Sequence, residues 1–272
     1  MAAPPLVIAH RGDSAHRPEN TLASFAGALE VGAALVELDV QLTADGHVIV
    51  IHDPGLDRTT TGRGDVRRLT LAEVRSVSAG YPDRFGNAYA GERVPTLSEA
   101  LALLRGRARI LVEIKAESVT DDADGGIEAR VADEVRRAGL ADSVALISFD
   151  HRAILRLASL APEMTRGRLF GRTNADEVLE AARDAACELV MPHKGQLSDA
   201  LVDRVHAAGL KIATWVVDEP KELKQLARFG LYGVGSNRPG VLLEAIADGL
   251  LDDSLPGGVA PLPPGPPLTP RE

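Results

Sequence analysis

The chain has 272 residues, of which 45% are hydrophobic and 25% charged, so it can bury a large core in one domain without disulfide bonds. Its formal net charge is -9 and aromatic residues make up only 3%, which argues against the basic face or stacking rings of a nucleic-acid-binding surface. No apolar run approaches the roughly 20 residues needed to span a bilayer, so stable membrane insertion is not expected.

Nine apolar runs have the length and composition of buried strands. They lie near residues 6–9, 34–40, 48–51, 110–114, 144–148, 165–170, 188–191, 211–217 and 232–236. From about residue 98 onward these runs alternate with helix-period segments, which is the pattern of repeated α/β units around a parallel sheet. A (β/α)₈ barrel, or TIM barrel, needs eight strands, so one of the nine runs is accessory or is not a strand.

The connections predict where this α/β fold departs from a regular barrel. Residues 41–47 are too few for a helical crossover, and Asp45-Gly46 is a hairpin signal, so the barrel should be irregular near its second and third strands. Asn20 is the expected N-cap of the first helix. A polar insertion at about 54–95, with a short helical pattern from Thr70 to Val77, should form a small subdomain after the third strand. We therefore divide the chain into an irregular (β/α)₈ barrel over 1–251 and a disordered proline-rich tail over 252–272.

Two features bear on the cellular compartment. The single cysteine, Cys187, cannot form an internal disulfide, and it is expected to be a small buried residue rather than a nucleophile. Residues 1–5 carry no basic segment ahead of the first apolar run, so no signal peptide is expected. Together these features predict a cytoplasmic protein.

Polar clusters close three of the early apolar runs. His10-Arg11-Gly12 follows the first run, Glu37-Leu38-Asp39 ends the second, and His52-Asp53 ends the third. Barrel folds place their chemistry at the carboxyl ends of such strands, so these clusters should meet in one active site.

Three carboxylates are candidates for a metal site. Glu37 and Asp39 are two residues apart, which in a strand points both side chains to the same face, and Glu113 lies inside the run 110–114. Burying three anions requires a cation, and ligation by oxygen alone suits Mg²⁺ or Ca²⁺ better than Zn²⁺. Ion pairs with Arg11 and Lys115 are the alternative, but the third acid and two nearby histidines favour the metal.

Two histidines are candidates for acid-base catalysis, because histidine titrates near neutral pH and two of them can serve as general base and general acid. His10 and His52 lie on either side of the strand that carries Glu37 and Asp39. Arg11 and Lys115 could hold a phosphate group, which is compatible with ion pairing to the same acids. Histidines 16, 47, 151 and 206 fall in loops or helix patterns, and we predict that they are solvated or structural.

Taken together, these motifs resemble those of the glycerophosphodiester phosphodiesterase family in order and spacing, from Leu6 to about Glu244. The resemblance rests on His10-Arg11-Gly12, Pro18-Glu19-Asn20-Thr21, Glu37-x-Asp39, His52-Asp53, Arg58-Thr59-Thr60 with Gly62, Pro95-Thr96-Leu97, Glu113-Ile114-Lys115 and Trp215. It implies a phospholipase-C-like barrel that hydrolyses a small glycerophosphodiester to sn-glycerol 3-phosphate and an alcohol. It also implies a divalent metal on Glu37, Asp39 and Glu113, an acid-base pair of His10 and His52, and a phosphate held by Arg11 and Lys115.

The chain departs from the family pattern at two places. The family usually ends its barrel with Thr-Asp-Arg-Pro, whereas this chain has Ser236-Asn237-Arg238-Pro239, which should affect a local hydrogen bond or a substrate contact. Asp13 follows the His-Arg-Gly triplet, where a small residue is common, and should add negative charge beside the phosphate.

The expected reaction follows from the residues. One histidine deprotonates water or the glycerol 2-hydroxyl and the other protonates the leaving alkoxide; His10 is assigned as base and His52 as acid, and a cyclic intermediate could reverse them. Trp215 either forms a wall of the glycerol or alcohol pocket or packs in the core. The polar insertion is expected to select the alcohol. Rival functions are a lysophospholipase D-like or phosphoinositide phosphodiesterase in the same barrel, and a non-catalytic barrel that only binds glycerophosphodiesters.

Overall fold

The computed structural model describes residues 4–122, 124–171 and 174–251. The described strands are β1 (Leu6–His10), β2 (Leu35–Leu42), β3 (Val48–Val50), β4 (Arg109–Ile114), β5 (Val144–Ser148), β6 (Thr165–Phe170), β7 (Leu189–Pro192), β8 (Lys211–Thr214) and β9 (Gly233–Ser236). Eight of them are parallel and form a closed barrel, in which β1 pairs with both β2 and β9. The predicted (β/α)₈ barrel is therefore confirmed.

The accessory strand is β3, which pairs with β2 in the antiparallel direction and aligns Val50 with Val40. This pairing confirms the irregularity predicted from the short hairpin connection. The run predicted over 211–217 is shorter in the structure, because β8 ends at Thr214. Trp215 consequently lies just beyond the end of a strand, where its side chain can enter the mouth of the barrel.

The α-helices of the described residues cover the outside of the barrel or lie in the segment that follows β3. They are α1 (Leu22–Glu30), α2 (Leu71–Arg75), α3 (Pro82–Phe85), α4 (Leu97–Leu104), α5 (Ile127–Arg137), α6 (His151–Leu160), α7 (Ala175–Asp184), α8 (Asp199–Ala207), α9 (Pro220–Leu226) and α10 (Pro239–Ala247). The N-cap of α1 is Thr21, whose side chain accepts a hydrogen bond from the backbone N–H of Ser24, so the prediction of Asn20 as the cap is wrong. Asn20 instead has a positive φ of 57°.

The barrel interior changes from apolar to acidic along the strands. Its lower part is filled by the buried residues Ile8, Leu35, Leu111, Ala145, Ile147, Leu169, Leu189, Met191 and Ala213. Because side chains alternate between the two faces of a strand, the residues two and four positions beyond Leu35 also point inward, and these are Glu37 and Asp39. Asp39 is aligned with Glu113 across β2 and β4, and Glu37 is aligned with His10 across β2 and β1.

The segment between β3 and α4 contains α2, α3 and a small core of its own. That core is formed by Ile49, Ile51, Leu56, Val66, Val74, Ala79 and Val94. Arg84 attaches the segment to the loop after β1 by donating hydrogen bonds to the carbonyl oxygens of Ser14 and Ala15, at 2.9 and 2.7 Å. This segment corresponds to the predicted insertion.

The tail predicted over residues 252–272 lies outside the described residues. Within the part of the chain that the structure describes, each helix is too short or too polar to cross a membrane.

Candidate active site

A cavity of about 250 Å³ opens at the carboxyl ends of the barrel strands. Its wall includes seven of the eight residues predicted from the sequence: His10, Arg11, Glu37, His52, Glu113, Lys115 and Trp215. The eighth, Asp39, is only 1% exposed and does not line the cavity. The barrel topology therefore brings together side chains that are more than 200 positions apart in sequence.

The three predicted metal ligands form one buried cluster. One carboxylate oxygen from each of Glu37, Asp39 and Glu113 lies within 4.8 Å of the others. Glu37 Oε2 accepts a hydrogen bond from the backbone N–H of Arg11 at 2.9 Å, whereas Glu37 Oε1 is buried without a hydrogen-bond partner. A buried carboxylate oxygen without a donor is costly, and a cation bound at this position would remove the cost.

The pKa values of the three acids also favour a bound cation. Burial, together with the charges of Asp39 and Glu113, raises the pKa of Glu37 well above its usual value. Burial and the Asp39 charge raise the pKa of Glu113 to about 7, although Lys115 opposes the shift. At Asp39 the effect of burial is outweighed by Arg11 and Lys115, which hold its pKa well below the usual range. The protein's own cations therefore do not supply enough positive charge to favour the ionised form of all three acids.

The predicted ion pairs are present but do not neutralise the cluster. Lys115 Nζ lies 2.7 Å from Glu113 Oε1 and 3.4 Å from Asp39 Oδ1, and Arg11 Nε lies 3.1 Å from Asp39 Oδ2. Arg11 and Lys115 thus pair with Asp39 and Glu113, and neither of them forms an ion pair with Glu37. The donor set, three carboxylates with a free oxygen, fits a hard divalent cation.

The loop after β1 has a conformation that requires glycine. Arg11 has a φ of 56°, and the next residue, Gly12, has a φ of 84°. A Cβ on Gly12 would lie 2.4 Å from the hydroxyl oxygen of Ser24 and 2.6–2.7 Å from its backbone. Only glycine fits this close approach to α1, and the resulting turn directs the Arg11 N–H at Glu37.

His10 is held by an amide that is itself held by a carboxylate. His10 Nδ1 lies 2.8 Å from Asn237 Oδ1, and Asn237 Nδ2 donates to Asp218 Oδ2 at 2.9 Å. The carboxylate of Asp218 only accepts, so it fixes the amide with its oxygen towards His10. His10 Nδ1 must then carry the hydrogen, and Nε2 is the nitrogen left for chemistry. Burial and the Arg11 charge lower the pKa of His10 to about 4, despite the hydrogen bond to Asn237.

The two departures from the family pattern have different outcomes. Asn237, which stands at the position of the usual aspartate, makes a hydrogen bond to His10 through its amide oxygen. Asp13 is buried, and its carboxylate lies 2.9 Å from His16 Nδ1 rather than in the cavity wall. Asp13 therefore does not line the cavity, and its effect on a bound phosphate stays a prediction.

His52 is held by its neighbour in sequence. His52 Nδ1 lies 2.7 Å from Asp53 Oδ1, so the carboxylate favours a hydrogen on Nδ1 and leaves Nε2 free. Burial alone would raise the pKa of Asp53, but the hydrogen bonds from Arg58 and His52 outweigh it and lower that pKa to about 2. The two catalytic candidates thus differ in the partner of Nδ1: an uncharged amide for His10 and a carboxylate for His52.

An apolar wall faces the charged side of the cavity. It is formed by Ile8, Ile147, Phe149, Leu169, Met191, Trp215 and Val216. Trp215 is fixed by a hydrogen bond from its Nε1 to the Met191 carbonyl oxygen at 3.1 Å, and its ring meets Phe149 edge-on at 5.5 Å between centroids. None of the lining residues comes from the insertion. The expectation that the insertion forms the alcohol-selecting surface is therefore not supported by its position.

Besides Asp218, sequence reasoning missed four further residues that support the site. Asn20 donates from Nδ2 to Asp39 Oδ2 at 2.8 Å and accepts from the backbone N–H of Asp39. His193 meets the Trp215 ring edge-on at 5.1 Å. Glu19 and Arg58 bond to each other, with two contacts of 2.8 Å. Three of the four lie in motifs quoted for the family resemblance, which was the available signal; His193 had none.

Comparison with known proteins gives a consistent result. The model of the Glycerophosphoryl diester phosphodiesterase family matches residues 10–241. A glycerophosphodiester phosphodiesterase from Caldanaerobacter subterraneus subsp. tengcongensis is 36% identical over 245 residues, covering 90% of this chain and 98% of the relative. An Oleispira antarctica phosphodiesterase solved with its product sn-glycerol-3-phosphate has a TM-score of 0.79 and 29% identity, covering 90% of this chain and 97% of that one. The structure of a glycerophosphodiester phosphodiesterase from Agrobacterium tumefaciens has a TM-score of 0.76 and 29% identity, and the match covers 88% of this chain and 99% of that one.

Proposed function

The chain belongs to the glycerophosphoryl diester phosphodiesterase family and is such an enzyme, and from this premise we propose how it works. It hydrolyses a small glycerophosphodiester to sn-glycerol 3-phosphate and an alcohol, using a divalent cation and the acid-base pair His10 and His52. The observation that carries the proposal is that two imidazoles line the same cavity as the cluster of three buried carboxylates, in which Glu37 Oε1 has no hydrogen-bond partner.

Glu37, Asp39 and Glu113 are the residues that would hold the cation, and Mg²⁺ or Ca²⁺ suits their oxygen donors. When bound, it supplies positive charge that neutralises the developing charge on the nonbridging phosphoryl oxygens. Arg11 and Lys115 line the same cavity and add two fixed positive charges on the side of the acids. An anionic phosphodiester would therefore be attracted to this side, with its phosphate near Arg11 and Lys115.

The partners of the two imidazoles suggest their roles. With Nδ1–H donated to Asn237, His10 keeps the lone pair of Nε2 available, and its lowered pKa leaves it unprotonated at neutral pH. It can therefore take a proton from water or from the glycerol 2-hydroxyl as the new P–O bond forms. His52 has the carboxylate of Asp53 on Nδ1, which can balance the charge of an imidazolium. It can therefore give its Nε2 proton to the alkoxide as the old P–O bond breaks.

The leaving alcohol or the glycerol carbons would lie against the apolar wall. Trp215 and Phe149 give this wall two flat surfaces, and the cavity of about 250 Å³ limits the groups that fit inside it. The wall provides apolar contact but no carboxylate of its own, so we propose selection by size and contact rather than by pairing with a cationic head group. The barrel strands and the residues just beyond them, rather than the insertion, provide this selection.

A panel assay tests the proposed function. Wild-type enzyme with Mg²⁺ or Ca²⁺ should release sn-glycerol 3-phosphate from glycerophosphocholine, glycerophosphoethanolamine and glycerophosphoglycerol, because these deacylated diesters fit a small cavity. Lysophospholipids and phosphoinositides should be turned over more slowly. A preference for long-chain lysophospholipids would favour the lysophospholipase D-like alternative, and binding of the diesters without turnover would favour a non-catalytic barrel.

The pair Asn237 and Asp218 offers a separate prediction about His10. Asn237→Leu removes the oxygen that accepts from Nδ1, so kcat should fall on the order of 10–100-fold, a part of what a general base contributes. Asn237→Asp alone places two carboxylates in contact and should also be impaired. The exchange Asp218→Asn with Asn237→Asp restores a donor beside an acceptor, and we expect it to recover most of the kcat lost by Asn237→Asp. An exchange variant that is no better than Asn237→Asp would contradict this assignment.

A further inference from the structure

Arg58 connects the insertion to the catalytic centre. It lies on a loop held by Thr60, whose backbone N–H and hydroxyl both donate to the carbonyl oxygen of Leu56. From this loop the guanidinium reaches back to two acidic residues outside the insertion, Asp53 and Glu19. Arg58 takes no part in the proposed mechanism, and it does not line the cavity.

One edge of the guanidinium fixes the carboxylate that holds His52. Arg58 Nε donates to Asp53 Oδ2 at 2.6 Å, and a terminal nitrogen of Arg58 lies 3.1 Å from Asp53 Oδ1. Asp53 Oδ1 is also the atom bonded to His52 Nδ1, at 2.7 Å. Because both oxygens of Asp53 are engaged by Arg58, the carboxylate cannot rotate without breaking a charge-assisted hydrogen bond.

The terminal nitrogens of the guanidinium also bind Glu19, whose side chain is 10% exposed. They donate to Glu19 Oε1 and Oε2, both at 2.8 Å, and Glu19 Oε1 also accepts from a terminal nitrogen of Arg11 at 2.8 Å. Arg11 in turn pairs with Asp39. An unbroken series of hydrogen bonds and ion pairs therefore runs from His52 to the buried acids through Asp53, Arg58, Glu19 and Arg11.

We propose that Arg58 is a positioning residue for catalysis: by binding Asp53 and Glu19 together, it fixes the orientation of the His52 imidazole relative to the acid cluster. This inference rests on the proposed role of His52 as general acid. The planar guanidinium is suited to the task, since it offers five N–H donors in a fixed arrangement, whereas the lysine ammonium offers three on a flexible chain. The insertion thus contributes to the chemical step without contacting the substrate.

A purely structural role makes a different prediction. If Arg58 only attached the insertion to the barrel, its loss should resemble the loss of Arg84, which attaches the same segment to the carbonyl oxygens of Ser14 and Ala15. Arg84 contacts neither Asp53 nor Glu19 through any hydrogen bond or ion pair in the described structure. Arg84→Ala is therefore the matched control for insertion docking.

The experiment measures kcat, KM and thermal unfolding for Arg58→Ala, Arg58→Lys, Asp53→Asn, the double variant Arg58→Ala with Asp53→Asn, and Arg84→Ala. We expect both Arg58 variants to lose kcat on the order of 10–100-fold with KM changed by no more than a few-fold, because a supporting group is lost but no substrate contact. The double variant should lose much less than the product of the two single losses, since both act through His52. Arg84→Ala should keep kcat.

Each other outcome counts against the proposal. A rise in KM with kcat unchanged would mean that Arg58 binds substrate. If the loss of kcat in the double variant equalled the product of the two single losses, Arg58 and Asp53 would act independently. If Arg84→Ala lost as much kcat as Arg58→Ala, the role of Arg58 would be only to attach the insertion to the barrel. Should Arg58→Ala unfold, Arg58→Lys keeps the positive charge, and wild-type kcat in that variant would overturn the proposal. Full activity of Arg58→Ala while His52→Ala is inactive overturns the positioning role alone, whereas full activity of His52→Ala overturns the proposed function with it.

Discussion

Replacing either of the two proposed catalytic histidines is expected to give the largest losses of activity. His10→Ala and His52→Ala should each lower kcat roughly 10²–10⁴-fold, the range found when a general acid or base is removed. The double variant should lose much less than the product of the single losses, because proton removal and proton donation serve one displacement. Steady-state kinetics on glycerophosphoethanolamine measures these effects.

The control for the histidine variants is His47→Ala. His47 is a half-exposed histidine at the hairpin between β2 and β3, and it lies outside the cavity wall. This variant should keep wild-type kcat. If either catalytic-site variant also kept near wild-type turnover, that histidine would have to be reassigned to a structural role.

The second large effect concerns the acid cluster. Glu37→Gln and Glu113→Gln should weaken the binding of Mg²⁺ and Ca²⁺ to chelator-treated protein, as measured by calorimetry, and should sharply lower activity. Glu37→Gln should leave the metal-free protein equally or more stable to heat, because Glu37 is a buried acid that pairs with neither Arg11 nor Lys115. Activity and metal-free stability should therefore move in opposite directions.

Glu117→Gln is the control for the acid cluster. Glu117 follows β4 closely but its side chain is exposed, so this variant should bind metal and turn over substrate like wild type. Chelation should abolish wild-type activity reversibly. Unchanged metal affinity in Glu37→Gln and Glu113→Gln, or full activity after exhaustive chelation, would show that the carboxylates serve the ion pairs alone.

The sequence could predict the barrel and the polar clusters at its cavity because both follow from local patterns. Buried parallel strands appear as apolar runs, and acids inside or at the end of such runs must point into the barrel or its mouth. Glu37, Asp39 and Glu113 could therefore be placed before any contact was known. The irregularity near the second and third strands was also predictable, since seven residues cannot form a helical crossover.

Other features depend on contacts that sequence patterns do not encode. Asn20 has the composition of a helix cap, but a positive φ turns its side chain to Asp39, and Thr21 caps the helix instead. The bond between His10 and Asn237 joins residues 227 positions apart. The ion pairs of Arg58 form only because the insertion folds back on the loop after β1, so the motif that contains Arg58 gave no hint of its partners.

The most direct test of the central claim is hydrolysis of a single glycerophosphodiester in water enriched in heavy oxygen. The claim is that this barrel cleaves the diester at phosphorus, with His10 and His52 moving the protons. The metal-loaded enzyme should then release sn-glycerol 3-phosphate that carries one solvent-derived oxygen on phosphorus, and an alcohol that carries none. Heavy oxygen in the alcohol, or a turnover that yields no sn-glycerol 3-phosphate, would contradict the account.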